Sequence, residues 1–275
     1  MNELKSVNIL SVIYLILIIG CNTNEKSAEK QLRVSVKEEA LSYNVDSTIM
    51  EGFVAYDESS ETKRPVVLIV HEWWGLDDYT KNRAKQLGQM GYLALAVDMY
   101  GKGQQADNPE MAGKLALPFY QDPEMAKNRF VAALNKIKNH PVADTNNIAA
   151  IGYCFGGAQV LNMARMGVKL KGVVSFHGNL NGVTPQKDIL KAEILVCHGE
   201  ADDFVPADEV ATFKKQMDSI GAKYIFKSYP NATHAFTNPG ATDKGKKFNL
   251  PIAYNAAADS ASWNDMKVFF SRIFK

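Results

Sequence analysis

The sequence predicts an α/β fold: a mostly parallel central sheet with helices on both faces. Three observations predict it. Short, continuous apolar runs at residues 65–70, 92–97, 148–151, 172–176 and 193–197 mark strands buried on both faces. Stretches of helical periodicity alternate with those runs. The polar residues of most interest follow the runs directly: Glu72, Asp98, Cys154, His177 and Asp202, with His234 after a last strand. In such sheets ligands bind beyond the carboxyl ends of the strands.

The chain has 275 residues, 46% hydrophobic and 22% charged, with a net charge of +1. No basic block stands out, which excludes nucleic acid as an expected partner. Three cysteines, Cys21, Cys154 and Cys197, are too few and too far apart for a disulfide framework, and no C-x-x-C pattern occurs. With no internal repeat and no linker, residues 32–275 read as one domain.

The first residues are a separate matter. Lys5 precedes an apolar run over 9–19 that ends in Gly20-Cys21. The run is short for a membrane span, which needs about 20 apolar residues, and suits the apolar region of a secretory signal. The ending Ile18-Ile19-Gly20-Cys21 resembles the lipobox of bacterial lipoproteins. That resemblance implies a signal over 1–20, cleavage before Cys21, lipid on the Cys21 sulfur and a polar tether over 21–31. The expectation is an exported lipoprotein of the bacterial cell envelope, held at the membrane by its N-terminal lipid. An uncleaved N-terminal anchor is the plainer alternative.

Taken in order, residues 33–36 and 49–56 carry β-branched alternation and predict two or three antiparallel edge strands. Residues 65–70 form the first buried strand. Asp77 or Asp78 caps a helix running to Met90, with Ala84, Leu87 and Met90 on one face, and Gly91 stops it. Residues 92–97 form a strand, and 101–107 a Gly/Gln-rich loop. Helices follow over 109–117 and 123–139, each with proline at its first turn. After the strand at 148–151 and a turn comes a helix over 158–166. Strands at 172–176 and 193–197 follow, then a helix over 208–220 and a strand over 222–229. Residues 238–251 read as polar and irregular, and 254–274 as a closing amphipathic helix.

Gly152-Tyr-Cys-Phe-Gly-Gly157 joins the 148–151 strand to its helix. Glycines two before and two after Cys154 let strand and helix pack around a strained turn that exposes the middle side chain. This makes Cys154 the candidate nucleophile, at a helix N-terminus whose dipole favours a thiolate. A buried structural cysteine is the bland reading; it is preferred for Cys197, inside an apolar strand. A base and an acid must follow Cys154 in sequence. Asp202 and Asp203 compete for the acid, and Gly199-Glu-Ala-Asp-Asp-Phe-Val-Pro206 looks like the α/β-hydrolase acid loop in the register that selects Asp202. His234 alone among five histidines gives the order Cys, Asp, His. His140 reads as a surface residue, and His71, His177 and His198 as structural. Glu72, between His71 and two tryptophans, reads either as a loop carboxylate or as a group serving the elbow, because desolvating it is otherwise costly. Oxyanion donors are expected from the backbone N–H groups of Phe155 and Trp73. No residues show metal-ligand spacing, and neither a metal nor a cofactor is expected.

The motifs His71-Glu-Trp-Trp-Gly75, Asp98-Met-Tyr100, Gly152-Tyr-Cys-Phe-Gly-Gly157, Asp202-Asp-Phe-Val-Pro206 and His234-Ala-Phe236 together resemble the dienelactone hydrolase family, a cysteine branch of the α/β-hydrolase fold. The resemblance implies a triad of Cys154, Asp202 and His234. It also implies that Glu72 contacts the resting thiol and helps to generate thiolate. The namesake enzymes hold a substrate carboxylate with arginines, one of them four residues after the catalytic histidine. That position is Asn238 here, and between Tyr100 and Arg129 the chain has Lys102, Lys114 and Lys127 but no arginine. The expected activity is hydrolysis of a small-molecule ester or lactone through an acyl-enzyme. Thioester hydrolysis or acyl transfer by the same triad is one alternative. A non-catalytic binding lipoprotein with this fold is another.

Overall fold

The computed structural model describes residues 34–275. The expected signal over 1–20, the tether over 21–31 and Cys21 lie outside the described residues.

The domain begins with an antiparallel hairpin, β1 (Val36–Val45) and β2 (Thr48–Asp57). The strand read at 33–36 instead starts at Val36 and runs to Val45. Its polar residues are tolerated because β1 is the sheet edge, where side chains largely face water. The α/β units follow: β3 (Arg64–Val70), α1 (Asp78–Gln89), β4 (Leu93–Val97), α2 (Pro109–Gln121), α3 (Pro123–Ile137), β5 (Ala143–Tyr153) and α4 (Phe155–Arg165). The second half comprises β6 (Gly172–Phe176), β7 (Glu193–Gly199), α5 (Ala207–Ser219), β8 (Tyr224–Tyr229), α6 (Ala241–Phe248) and α7 (Ala256–Ile273).

These strands form one eight-stranded sheet in the order β1-β2-β4-β3-β5-β6-β7-β8. β2 is antiparallel to both neighbours, and all pairings from β4 to β8 are parallel. This is the α/β-hydrolase architecture. The apolar runs explain it: Val66, Leu68 and Val70 face one core and Val67 and Ile69 the other. α3, α4 and α5 cover the first core through Phe130, Leu161 and Phe213. α1 and α7 cover the second through Leu87, Met266 and Phe270. The chain leaves β3 for β4 on one side and reaches β5 on the other. The order thus reverses between β3 and β5, the position where open α/β sheets bind ligands. Val70 pairs with Gly152, so the loops after these two strands emerge side by side.

Three expectations are corrected. Residues 238–251, read as irregular, contain α6. Local sequence argues weakly for it, since glycine sits mid-helix; tertiary contact decides. Gly245 packs so tightly that an added Cβ would lie 2.4 Å from the Ile252 carbonyl, and Phe248 stacks on Trp74 with ring centroids 5.9 Å apart. The elbow helix starts at Phe155 rather than 158, because the turn is a single residue. His140 is not a free surface group: its ring packs edge-on against Tyr56, with centroids 4.9 Å apart.

Candidate active site

Cys154 occupies the sharp turn between β5 and α4. It has φ of +53° and ψ of −116°, a strained backbone for a residue with a Cβ. The flanking glycines make the turn possible. A Cβ on Gly152 would lie 2.0 Å from the Gly156 carbonyl oxygen, and one on Gly156 would lie 2.1 Å from that of Val70. Further bonds fix the turn. The Cys154 N–H is shared between the Phe176 carbonyl at 3.0 Å and His177 Nδ1 at 3.1 Å. The Gly156 N–H donates to the His71 carbonyl at 3.1 Å and so ties the elbow to the end of β3.

His234 follows β8, and its Nδ1 lies 2.9 Å from Asp202 Oδ2. Asp202 Oδ1 accepts the Phe204 N–H at 2.9 Å, so both carboxylate oxygens are engaged. Asp203 is exposed. Burial works against charge on His234, but the neighbouring Cys154 and Asp202 outweigh it and raise the imidazole to about 10. Asp202 thus holds the ring from Nδ1, and the ring and Cys154 line the same cleft.

Glu72, directly after β3, is 2% exposed. Asn238 Nδ2 donates to its Oε2 at 2.6 Å, while Oε1 is buried without a partner. Asn238 Oδ1 accepts the Gly240 N–H at 2.9 Å, which fixes the amide's orientation. Burial, then the charge of Asp77, push the Glu72 carboxyl up to about 7 against the opposing pull of Asn238, Lys244 and His234.

Among the described residues, neither the Phe155 nor the Trp73 N–H is taken by a turn or loop carbonyl. Phe155 opens α4, and Trp73 is held by the Tyr100 hydroxyl, which donates to its carbonyl at 3.0 Å. Cys154, Glu72 and His234 line a common cleft of about 660 Å³, measured to its open mouth. Trp73, Trp74, Tyr120, Asn179, Phe204, Ala235, Leu250 and Ile252 complete its walls.

The remaining histidines and Cys197 lie beneath this cleft or away from it. Cys197 is fully buried, and burial pushes its thiol up to about 12. His71 accepts the Met99 N–H at Nε2 and donates from Nδ1 to the Glu72 carbonyl, so it is a neutral ring shaping the β3 loop. His177 is the residue whose place was not evident from sequence. Its Nδ1 accepts from Cys154, so Nε2–H donates to Thr237 Oγ1 at 2.7 Å. Burial, with the charges of His234 and Arg83, holds it neutral, well below its usual range. One ring thus links the Cys154 backbone to the loop of His234. Its φ of +42° was the hidden signal, because sequence does not report that a non-glycine residue must adopt that backbone. Arg83 of α1 completes the underside, donating to the Thr237 carbonyl at 2.8 Å and pairing with Asp259 of α7. Arg129 donates to the Met99 carbonyl and is not part of the cleft.

Comparison with known proteins gives concordant matches. The model of the dienelactone hydrolase family matches residues 50–274. A protein named usf from Aquifex pyrophilus is 28% identical over 211 residues, covering 75% of this chain and 87% of that one. A candidate carboxymethylenebutenolidase of Aquifex aeolicus is 30% identical over 184 residues, covering 65% and 79% respectively. Among solved structures, a dienelactone hydrolase-like promiscuous phosphotriesterase from metagenomic libraries is 31% identical. It superposes with a TM-score of 0.82, covering 87% of this chain and 99% of that one.

Proposed function

The chain belongs to the dienelactone hydrolase family, and from that premise we propose that it is a carboxylic-ester hydrolase acting through Cys154, His234 and Asp202. One observation carries the reading: the His234 ring, held by Asp202 through Nδ1, lines the same open cleft as Cys154.

In this mechanism the Cys154 thiolate attacks the ester carbonyl, its proton having passed to His234. The carbonyl oxygen becomes an oxyanion held by the N–H groups of Phe155 and Trp73. Collapse breaks the carbon–oxygen bond to the alcohol, and the His234 imidazolium protonates the departing alkoxide. The acyl group remains on sulfur as a thioester. Neutral His234 then takes a proton from water, which attacks that thioester, and the acid leaves as the thiol re-forms. Asp202 holds the imidazole tautomer and stabilises the imidazolium throughout.

The full chain, purified in a neutral detergent, is expected to hydrolyse small aryl esters, and Cys154→Ala to lose this turnover. Undiminished hydrolysis by the variant would refute the assignment. A second reading extends the nucleophile to phosphotriesters, favoured by the 31% identity to a solved protein named for that activity. Liberation of nitrophenol from a dialkyl nitrophenyl phosphate tests it in the same assay.

The site of action in this reading is the cell envelope, with Cys21 as the lipidated residue. The support is the short apolar run over 9–19 ending in Gly20-Cys21. Cys21→Ser is expected to move the protein from the membrane to the soluble fraction; unchanged fractionation would remove the anchor from the proposal.

A further inference from the structure

The cleft that holds Cys154 is unusual in its charges. Apart from Glu72, Cys154, His234 and Asn179, whose amide donates to the Phe204 carbonyl at 3.0 Å, its walls are aromatic or aliphatic, and among the described residues no lysine or arginine lines it. Lys244, whose charge reaches Glu72, is engaged elsewhere: it lies over the Trp74 ring, 4.6 Å from its centroid, and 3.8 Å from Asp77. The acidic side is fully represented, since Glu72 brings a buried, unpartnered Oε1 to the same space.

Resting on the ester-hydrolase reading, we propose that the site takes uncharged esters whose acyl and alcohol parts are apolar, and rejects esters that carry a carboxylate. The reason is electrostatic and steric together. A carboxylate entering the cleft gives up its hydration and meets aromatic faces, which are themselves the negative side of the ring quadrupole. It lies beside Glu72 and Cys154, each negative when ionised. The His234 imidazolium, the cationic group that lines the cleft, is already paired with Asp202. A neutral group of the same shape meets none of these penalties and gains from burial against the tryptophans. Above pH 7 Glu72 ionises, so the discrimination widens with pH. The groups that set this titration are Asp77, Asn238, Lys244 and His234.

The test uses matched pairs that differ in charge and not in shape. One pair places the group on the alcohol side: 4-carbamoylphenyl butyrate against 4-carboxyphenyl butyrate. The other places it on the acyl side: the primary amide of phenyl hydrogen adipate against the free acid. With the full chain, kcat/KM is expected to favour the amide by at least about a hundredfold in both pairs, the scale of an unpaired charge forced into an apolar site. Leu250→Arg sets a cation on a half-buried wall position that only its backbone otherwise ties down, and is expected to narrow both ratios by about tenfold or more. The wild-type ratios test the proposal by themselves if that variant does not fold. A carboxylate ester turned over as fast as its amide overturns the proposal and leaves the hydrolase reading standing. A ratio unmoved in folded Leu250→Arg overturns the attribution to cleft charge. Failure to hydrolyse either amide removes the ester reading, and the proposal with it.

Discussion

Asp202 and Glu72 are both carboxylates in loops that follow buried strands, 5% and 2% exposed, and both belong to the surroundings of His234. The chain treats them oppositely. Asp202 has a partner on each oxygen, one the His234 ring and the other the Phe204 backbone. Glu72 has a partner on one oxygen only, the Asn238 amide, and its other oxygen faces no donor. A buried carboxylate bonded at both oxygens is fixed in place; a half-bonded one is disfavoured in its charged form and costs stability when it ionises. The two loops therefore divide the labour: the β7 loop holds the His234 ring in place, and the β3 loop carries a charge that pH can turn on.

Asp202→Asn tests the strong side of the contrast and carries the largest expected effect. The amide keeps the shape but loses the charge and reverses the hydrogen-bond demand on His234 Nδ1. A fall in kcat of about three to four orders of magnitude is expected, read from steady-state kinetics on a neutral aryl ester. A fall below tenfold would show that Asp202 does not orient the base.

Glu72→Gln tests the weak side and is read in stability. The Glu72 carboxyl stays protonated in the folded protein up to about 7, whereas in the unfolded chain it ionises near 4.5. The folded state thus binds the extra proton between these values, so this group removes stability as pH rises from 4.5 to 7. The loss reaches about 3 kcal/mol above pH 7, at roughly 1.4 kcal/mol for each pH unit. Glutamine removes the titration, so thermal unfolding should show the variant gaining on wild type at pH 8 and showing little difference at pH 4. Equal effects at the two pH values would contradict the half-bonded picture.

Asn238→Ala makes Glu72 more unlike Asp202 still, with the smallest effect of the three. Losing the one donor to Oε2 is expected to move the Glu72 titration above 7. It should also cost about 1–2 kcal/mol at pH 8, where the carboxylate is ionised, and less at pH 5. Denaturant unfolding at the two pH values measures it.

These residues also show what was legible in the sequence. The strands from β3 to β7 were readable because each is a continuous apolar run, and burial on both faces permits nothing else. The elbow was readable because close packing demands glycine at 152 and 156, and glycine is visible in a string. Asp202 was distinguished from Asp203 by register within a loop motif. The bond between Asn238 and Glu72 was not visible: it joins positions 166 apart in the chain, and nothing local marks either as a partner. α6 was hidden for a related reason, since its stability comes from Trp74 and the Ile252 backbone rather than from helix-forming residues. His177 looked like any histidine at a strand end. Its part in the site depends on which ring nitrogen faces Cys154, a property of the assembled structure.

The Arg83 link from α1 to the Thr237 carbonyl and to Asp259 bears on how the protein is made. Asp259 leaves the ribosome 105 residues after Cys154. At synthesis speeds of about 5–20 residues per second, that delay is roughly 5–20 seconds. Through that interval the nascent chain carries Cys154 before Arg83 can pair with α7. The elbow is thus released from the ribosome well ahead of the last helix, which secures the Arg83 link beneath the cleft.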